Sequence, residues 1–155
     1  MSLIYRVPGV GRIEIDTLVV DSNGTLTVRG EIVSGVIERI QRLQSLGVNV
    51  VMISSDQRGN ARVLAESAGI TYYEANNSRE KEDILLSLGS KNVGAIGNAR
   101  IDIGLFVQSV VSVATLQGEG IHKDVIDHVD VIVPSINDAL EFFMDENTFI
   151  ATMKR

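Results

Sequence analysis

Short apolar segments alternate with helical patterns along most of this 155-residue chain, and this alternation limits the folds open to it. The apolar segments are rich in Val and Ile and run without polar interruption, which predicts strands buried on both faces. We predict strands at residues 18–21, 48–53, 71–73, 93–96, 110–114 and 129–133, and helices at residues 34–46, 59–68, 78–88, 102–108, 121–128, 134–144 and 147–153. Strands that alternate with helices favour parallel pairing with right-handed crossovers. The predicted fold class is therefore α/β, a doubly wound, Rossmann-like parallel sheet.

Local signals and length place the ends of the helices and the limits of the domain. Gly47, Gly69 and Gly89 each follow a helical pattern as a C-terminal stop, and Ser78 is the predicted N-cap of the third helix. The length allows one hydrophobic core and leaves no room for a large cap domain. We expect a single domain over residues 1–155, with an N-terminal edge hairpin (1–16), a core (17–133) and C-terminal helices (134–155).

Composition and charge narrow the classes of partner. The chain has no cysteine, so disulfides, thiolate metal sites and cysteine nucleophiles are excluded. Its formal net charge is −6, its basic residues are scattered and aromatic residues make up only 5%, which argues against nucleic acid as a partner. No apolar run approaches the roughly 20 residues that span a bilayer, and no secretory signal is recognisable. We expect a protein with no membrane partner and a cytoplasmic location.

Polar side chains follow several of the predicted strands at the point where each strand ends. Because the carboxyl ends of parallel strands meet at one edge of the sheet, the loops after them converge there. These residues are Asp21, Asn23, Ser54, Asn98 and Asp102, and Lys81 joins them if its helix points its first turn at the same edge. Two acids, a hydroxyl group and an ammonium group at one edge are suited to binding phosphate and magnesium.

A carboxylate at this position can act as a nucleophile toward phosphorus. Asp21 can form an aspartyl phosphate only when its own charge and that of the phosphate are both offset, which Mg²⁺ and Lys81 would do. Ser54 can donate its hydroxyl hydrogen to a phosphoryl oxygen, and the backbone amides around Gly24 can donate similarly. Asp102 would supply a hard oxygen ligand to Mg²⁺. Each residue alone has an ordinary structural explanation as a turn, cap or solvated helix residue, and only the whole set indicates chemistry.

Four segments resemble the ordered motifs of the haloacid dehalogenase superfamily. Asp21-Ser22-Asn23-Gly24-Thr25-Leu26-Thr27 resembles the first motif, Asp-x-Asp-Gly-Thr, and most of all the Asp-Lys-Thr-Gly-Thr-Leu-Thr of P-type ATPases. Residues 51–57 are similar to the Thr-Gly-Asp-Asn segment of P-type ATPases, with Ser54 in the phosphate-binding position. Lys81 resembles the third-motif lysine, and residues 95–102 resemble the fourth motif, Gly-Asp-Gly-x-Asn-Asp. The ordered set points to the small, soluble, P-type ATPase-like members of the superfamily.

The resemblance implies a Mg²⁺-dependent, haloacid-dehalogenase-like hydrolase, a phosphatase that transfers a phosphoryl group through an aspartyl phosphate. It implies that Asp21 is the nucleophile and that Lys81 is a second catalytic residue. Phosphate would be bound by Ser54, Asn23, Gly24 and Lys81, and Mg²⁺ by Asp21, the backbone carbonyl of Asn23, Asn98 and Asp102. The expected substrate is a small phosphorylated molecule or a phosphoprotein.

Two amides stand where the superfamily has acids. Asn23 replaces the second acid of the first motif, which normally protonates the leaving group and later activates water, a contribution of about 10²- to 10⁴-fold. Asn98 replaces the first acid of the fourth motif and coordinates without charge, which predicts low Mg²⁺ affinity. Ala99 and Ile101 replace the glycine and asparagine of that motif. We therefore expect phosphoryl capture followed by slow release.

The sequence also allows functions other than slow turnover, and it allows a homo-oligomer. A catalytically degenerate domain could bind phosphate or a protein partner without turnover, in keeping with Asn23 and Asn98. A receiver-type signalling domain fits less well, because its acidic cluster would lie nearer the middle strand. Phe142, Phe143 and Phe149 are predicted core or docking residues, which would form a homo-oligomer patch if they were exposed.

Overall fold

A six-stranded parallel sheet forms the centre of the chain, which a computed structural model describes over residues 2–155. From edge to edge its strands are β10 (Val131–Val133), β9 (Val111–Thr115), β8 (Val93–Gly97), β3 (Thr17–Val20), β6 (Asn49–Ser54) and β7 (Thr71–Glu74). Every neighbouring pair in this sheet is parallel. The order reverses direction on either side of β3, so the predicted doubly wound α/β fold is confirmed.

Helices cover both faces of the sheet. They are α1 (Val36–Ser45), α2 (Ala61–Ala68), α3 (Ser78–Leu88), α4 (Ile103–Gln108), α5 (Ile136–Met144) and α6 (Glu146–Met153). Alternate residues of β3 enter opposite cores: Leu18 and Val20 pack with the cluster that includes Ile40, whereas Val19 packs with the cluster that includes Leu85. Burial on both faces explains why the strands are uninterrupted apolar runs in the sequence.

Two local predictions about the helices are wrong. Residues 121–128 do not form an α-helix; a 3₁₀ helix spans Lys123–His128, capped by the His122 side chain, which accepts from the N–H of Asp124. Asn77, not Ser78, is the N-cap of α3, since its side chain accepts from the N–H of Glu80. The Ser78 hydroxyl instead accepts from the N–H of Gly104 and so joins α3 to α4.

The N-terminal hairpin is present but does not extend an edge of the main sheet. Strands β1 (Leu3–Val7) and β2 (Gly11–Ile15) form a separate antiparallel pair. Its Tyr5 ring packs 4.6 Å from the Phe149 ring, centroid to centroid.

The three C-terminal phenylalanines are buried. Phe142, Phe143 and Phe149 lie in the hydrophobic core, so they do not form the exposed oligomer patch considered from sequence. Within residues 2–155, no helix is both long enough and apolar enough to cross a membrane.

Candidate active site

Strand pairing brings the predicted acid and hydroxyl to one edge of the sheet. Val20, the last residue of β3, pairs with Met52 of β6 and Ile96 of β8. Asp21 follows it directly and remains in register with β8, because its N–H donates to the carbonyl of Ile96 at 3.0 Å. Ser54 ends β6 and is fully buried, and the Asp21 residue is only 4% exposed. The carboxyl ends of the central strands therefore form a closed polar centre.

Lys81 lies between two carboxylates in this centre. Its Nζ donates to Oδ1 of Asp21 at 2.9 Å and to Oδ1 of Asp102 at 2.6 Å. The lysine side chain has no exposed surface, although it starts from the first turn of α3. Asn77 fixes that turn by capping it, so the helix delivers the ammonium group to the edge where β3 ends.

Burial and charge together set the protonation of this cluster. Burial raises the pKa of Asp21 to about 7, the negative charge of Asp102 adds to the rise, and Lys81 opposes it. Burial alone would lower the pKa of Lys81, but its two carboxylate partners outweigh that effect and raise it. One ammonium thus serves two buried carboxylates, and the site gains from any further cation that reaches Asp21.

Both oxygens of Asp102 are already engaged. Oδ1 accepts from Lys81, and Oδ2 accepts from the N–H groups of Asn98 at 3.0 Å and Ala99 at 2.9 Å. A Cβ on Gly97 would lie 2.5 Å from that Oδ2, so the carboxylate is packed directly against the end of β8. The prediction that Asp102 is a metal ligand does not fit this geometry. Asp102 is placed to orient Lys81.

Backbone N–H groups of the turn after β3 donate hydrogen bonds to carbonyl groups within the same turn. The N–H of Gly24 donates to the carbonyl of Thr27 at 2.8 Å, and the N–H of Thr25 donates to Ser22 at 3.1 Å. The prediction that the Gly24 amide binds phosphate therefore does not fit. The backbone N–H of Asn23 takes no part in these two turn bonds. It is also closer to Asp21 along the chain than the N–H of Gly24. Gly24 has φ +76°, and an added Cβ would collide with the Asn98 amide, which explains the glycine.

The side chains of Ser54 and Asn98 differ in how many of their polar atoms already have hydrogen-bond partners. The Ser54 hydroxyl oxygen accepts from the N–H of Asp56 at 3.2 Å, which leaves its hydrogen available to a ligand. The Asn98 side chain makes two hydrogen bonds: Nδ2 donates to the carbonyl of Gly120 at 2.8 Å, and Oδ1 accepts from the Thr25 hydroxyl at 3.1 Å. A metal ion at Asn98 would have to share Oδ1 with Thr25.

Three loops at this edge, which follow β3, β6 and β9, contact one another through residues that the sequence analysis does not single out. The hairpin of β4 (Thr27–Val28) and β5 (Glu31–Ile32) is held by Glu119, whose Oε2 accepts from the N–H of Arg29 at 2.8 Å. The other oxygen of Glu119 lies 3.5 Å from Nη2 of Arg58 in the loop after β6. Their meeting depends on tertiary convergence of three separate loops, so no local sequence signal reveals it.

The parallel sheet, its order around β3 and the acid–lysine–acid cluster at the carboxyl ends of the strands define a doubly wound α/β protein with a buried polar site. The order of its four motifs resembles that of the haloacid dehalogenase superfamily, and the relatives below include a soluble P-type ATPase-like phosphatase.

The chain is similar in sequence to proteins of two kinds. It is 27% identical over 132 residues to a soluble P-type ATPase-like phosphatase from Methanocaldococcus jannaschii, a match that covers 82% of this chain and 48% of that protein. It is 28% identical over 111 residues to the potassium-transporting ATPase ATP-binding subunit of Streptomyces coelicolor, covering 70% of this chain and 16% of the subunit. The chain thus spans about half the length of the first relative. No family model matches it.

A solved structure shows the same fold. The chain superimposes on 3-deoxy-D-manno-octulosonate 8-phosphate phosphatase from Moraxella catarrhalis, in complex with magnesium ion, phosphate ion and a KDO molecule, with a TM-score of 0.68. The match covers 90% of this chain and 94% of that one at 14% identity. At this identity the likeness extends to the fold, and chemistry has to be argued from the residues themselves.

Proposed function

We propose that the chain is a phosphatase that transfers a phosphoryl group to Asp21. The observation that carries this proposal is the buried chain of contacts from Asp21 through Lys81 to Asp102 at the end of the central strand. A structural ion pair would need no hydroxyl beside it, yet Ser54 ends the adjacent strand with a hydroxyl hydrogen to spare. The named activity of the Methanocaldococcus jannaschii relative supports the same assignment.

The residues at the end of β3 suit a Mg²⁺ site in which the protein supplies one carboxylate. Among residues 2–155, no three His, Cys, Asp or Glu side chains are grouped to hold a metal ion by themselves. Mg²⁺ is, however, commonly bound through one or two carboxylates together with substrate phosphate. Asp21 and the backbone carbonyl of Asn23 are hard oxygen donors of this kind. When bound, Mg²⁺ would neutralise phosphoryl charge, and we expect its affinity to be low until phosphate is present.

In the proposed reaction, Lys81 and Ser54 hold the phosphoryl oxygens while a carboxylate oxygen of Asp21 attacks phosphorus. The bond from phosphorus to Asp21 forms as the bond to the leaving oxygen breaks, and the leaving oxygen takes its proton from water. Asn23 contributes its N–H to a phosphoryl oxygen, but its amide side chain cannot protonate the leaving group. The preferred substrates are therefore phosphates whose leaving group is stable as an anion, such as aryl and acyl phosphates.

Release of phosphate is proposed to be the slow step. Water must attack phosphorus to regenerate Asp21, and no carboxylate stands at position 23 to take a proton from that water. The burial of Asp21, Ser54 and Lys81 favours a small phosphorylated substrate over a phosphoprotein.

The test is hydrolysis of p-nitrophenyl phosphate with and without Mg²⁺ by the wild-type protein and by Asp21→Asn. The proposal expects slow, Mg²⁺-dependent hydrolysis that Asp21→Asn abolishes. Equal rates in the two proteins would refute Asp21 as nucleophile.

A second candidate function is a phosphate-binding or protein-interaction domain without turnover. It is favoured by the amides at Asn23 and Asn98 and by the burial of Asp21, Ser54 and Lys81. Binding of inorganic phosphate, with no hydrolysis and no phosphoenzyme under any metal condition, would support this candidate over the phosphatase.

A further inference from the structure

Asn98 makes contacts that differ from those of a metal ligand. Asn98 is 7% exposed, and its side chain joins two loops by accepting from the Thr25 hydroxyl and donating to the carbonyl of Gly120. Its backbone carbonyl also accepts from the N–H of His122 at 3.1 Å. Three hydrogen bonds of one residue thus connect the turn after β3 to the segment 116–122, which we call the covering segment.

Only an amide can make both side-chain bonds. Nδ2 must donate to a carbonyl oxygen while Oδ1 accepts from a hydroxyl group, and a carboxylate can only accept. An acid at this position would place a negative oxygen 2.8 Å from the carbonyl oxygen of Gly120, where the Asn98 amide nitrogen now lies. The amide is therefore required by the contacts of this chain, in a position where the motif it resembles carries an acid.

The covering segment links the other two loops over the site. Glu119 within it accepts from the N–H of Arg29 in the β4–β5 hairpin and pairs with Arg58 after β6. A Cβ on Gly118 would lie 2.9 Å from Cγ1 of Val28, so the segment packs tightly on that hairpin. Whatever holds the covering segment therefore also holds the β4–β5 hairpin and the loop after β6, two loops at the same edge of the sheet as Asp21.

We propose that Asn98 is a positioning residue that clamps the covering segment to the phosphate-binding turn, and that it does not serve as a ligand of the metal. The clamp fixes the turn from which Asn23 donates and keeps the three loops closed around a bound phosphoryl group. Asn98 acts through Thr25 and Gly120 and touches neither substrate nor metal.

The test compares Asn98→Asp, Asn98→Ala and Thr25→Val with the wild type by amide hydrogen exchange. The control is Asn76→Asp, which makes the same change of charge at an exposed position. Exchange of the Gly120 and His122 amides is expected to accelerate about tenfold or more in both Asn98 variants, because two buried hydrogen bonds are lost. Thr25→Val removes one bond only and is expected to give a smaller acceleration, which keeps the test valid if an Asn98 variant does not fold.

Two further readouts separate positioning from metal binding. The dissociation constant of Mg²⁺ in the presence of inorganic phosphate should be no lower in Asn98→Asp than in the wild type. The kinetic readout rests on the proposed phosphatase function: KM for an aryl phosphate should rise about tenfold in Asn98→Asp, with a smaller change in kcat. Unchanged amide exchange in both Asn98 variants would overturn the proposal, as would a tenfold gain in Mg²⁺ affinity in Asn98→Asp. Neither result depends on turnover, so a failed phosphatase assay leaves this test intact.

Discussion

Nζ of Lys81 lies 2.6 Å from Oδ1 of Asp102, and the other oxygen of that carboxylate is held by two backbone N–H groups at the end of β8. The sheet thus fixes Asp102, Asp102 orients Lys81, and Lys81 reaches Asp21 at 2.9 Å. This order of support places a positive charge beside the proposed nucleophile before any ligand arrives. Preorganised charge of this kind is worth more in a buried site than in water.

Removal of the ammonium group should destabilise the fold strongly. In Lys81→Met, two buried carboxylates lose their shared cation, and we expect a loss of about 3–5 kcal/mol in the free energy of unfolding. Urea denaturation measures this loss. Lys91→Met, at an exposed lysine, is the matched control and should change stability by less than about 0.5 kcal/mol. A Lys81→Met protein as stable as the control would show that the cluster is not ionised as described.

The free energy of unfolding should decrease as the pH rises, because of Asp21. Its folded-state pKa is raised from 3.8 to about 7, so the folded state holds this proton more tightly and stability decreases between about pH 4 and 7. Asp21→Asn removes that effect. In the absence of metal, we expect the variant to be more stable than the wild type above pH 7, by up to about 4 kcal/mol, and nearly equal to it near pH 4. Thermal unfolding across pH tests this, with the exposed Asp127→Asn as control for loss of one charge.

Gly24 should tolerate a methyl group less well than a glycine of similar backbone conformation elsewhere. Gly24 and Gly59 have φ +76° and +74°, but only at Gly24 would a Cβ meet another residue. Gly59→Ala should cost about 1–2 kcal/mol for the left-handed backbone. Gly24→Ala should cost a further 1–3 kcal/mol, roughly, because the new methyl group displaces the Asn98 side chain. Equal losses of unfolding free energy in the two variants would contradict the packing described for Asn98.

Restoring an acid in the first motif should accelerate turnover. Asn23→Asp supplies a carboxylate two residues after Asp21, where it can protonate a leaving group and then activate water. We expect hydrolysis of an aryl phosphate to increase by about 10²-fold or more, with the larger gain for substrates with poor leaving groups. Steady-state rates for a series of aryl phosphates measure this, and a rate unchanged or lowered across the series would refute the role assigned to position 23.

The fold could be predicted well from the sequence because strands buried on both faces leave an unmistakable apolar pattern. Topology brings Lys81 and Asp102 to the same edge, but no sequence pattern encodes their mutual contact, so the sequence alone favours Asp102 as a metal ligand. The role of each Asp102 oxygen depends on where the backbone N–H groups of Asn98 and Ala99 lie, and the sequence alone does not give those positions. The contacts of Glu119 with Arg29 and Arg58 are set by three loops distant in sequence, and no periodicity or motif encodes them.

In the proposed reaction, Asp21 takes up a phosphoryl group and releases it slowly. The most direct measurement is the intact mass of the protein after reaction with acetyl phosphate and Mg²⁺ and rapid acid quench, followed by peptide mapping. We expect that one phosphoryl group is added to wild-type protein at Asp21, that hydroxylamine removes it, and that Asp21→Asn acquires none. Hydrolysis of an aryl phosphate without any phosphoryl adduct, or an adduct that persists in Asp21→Asn, would contradict it.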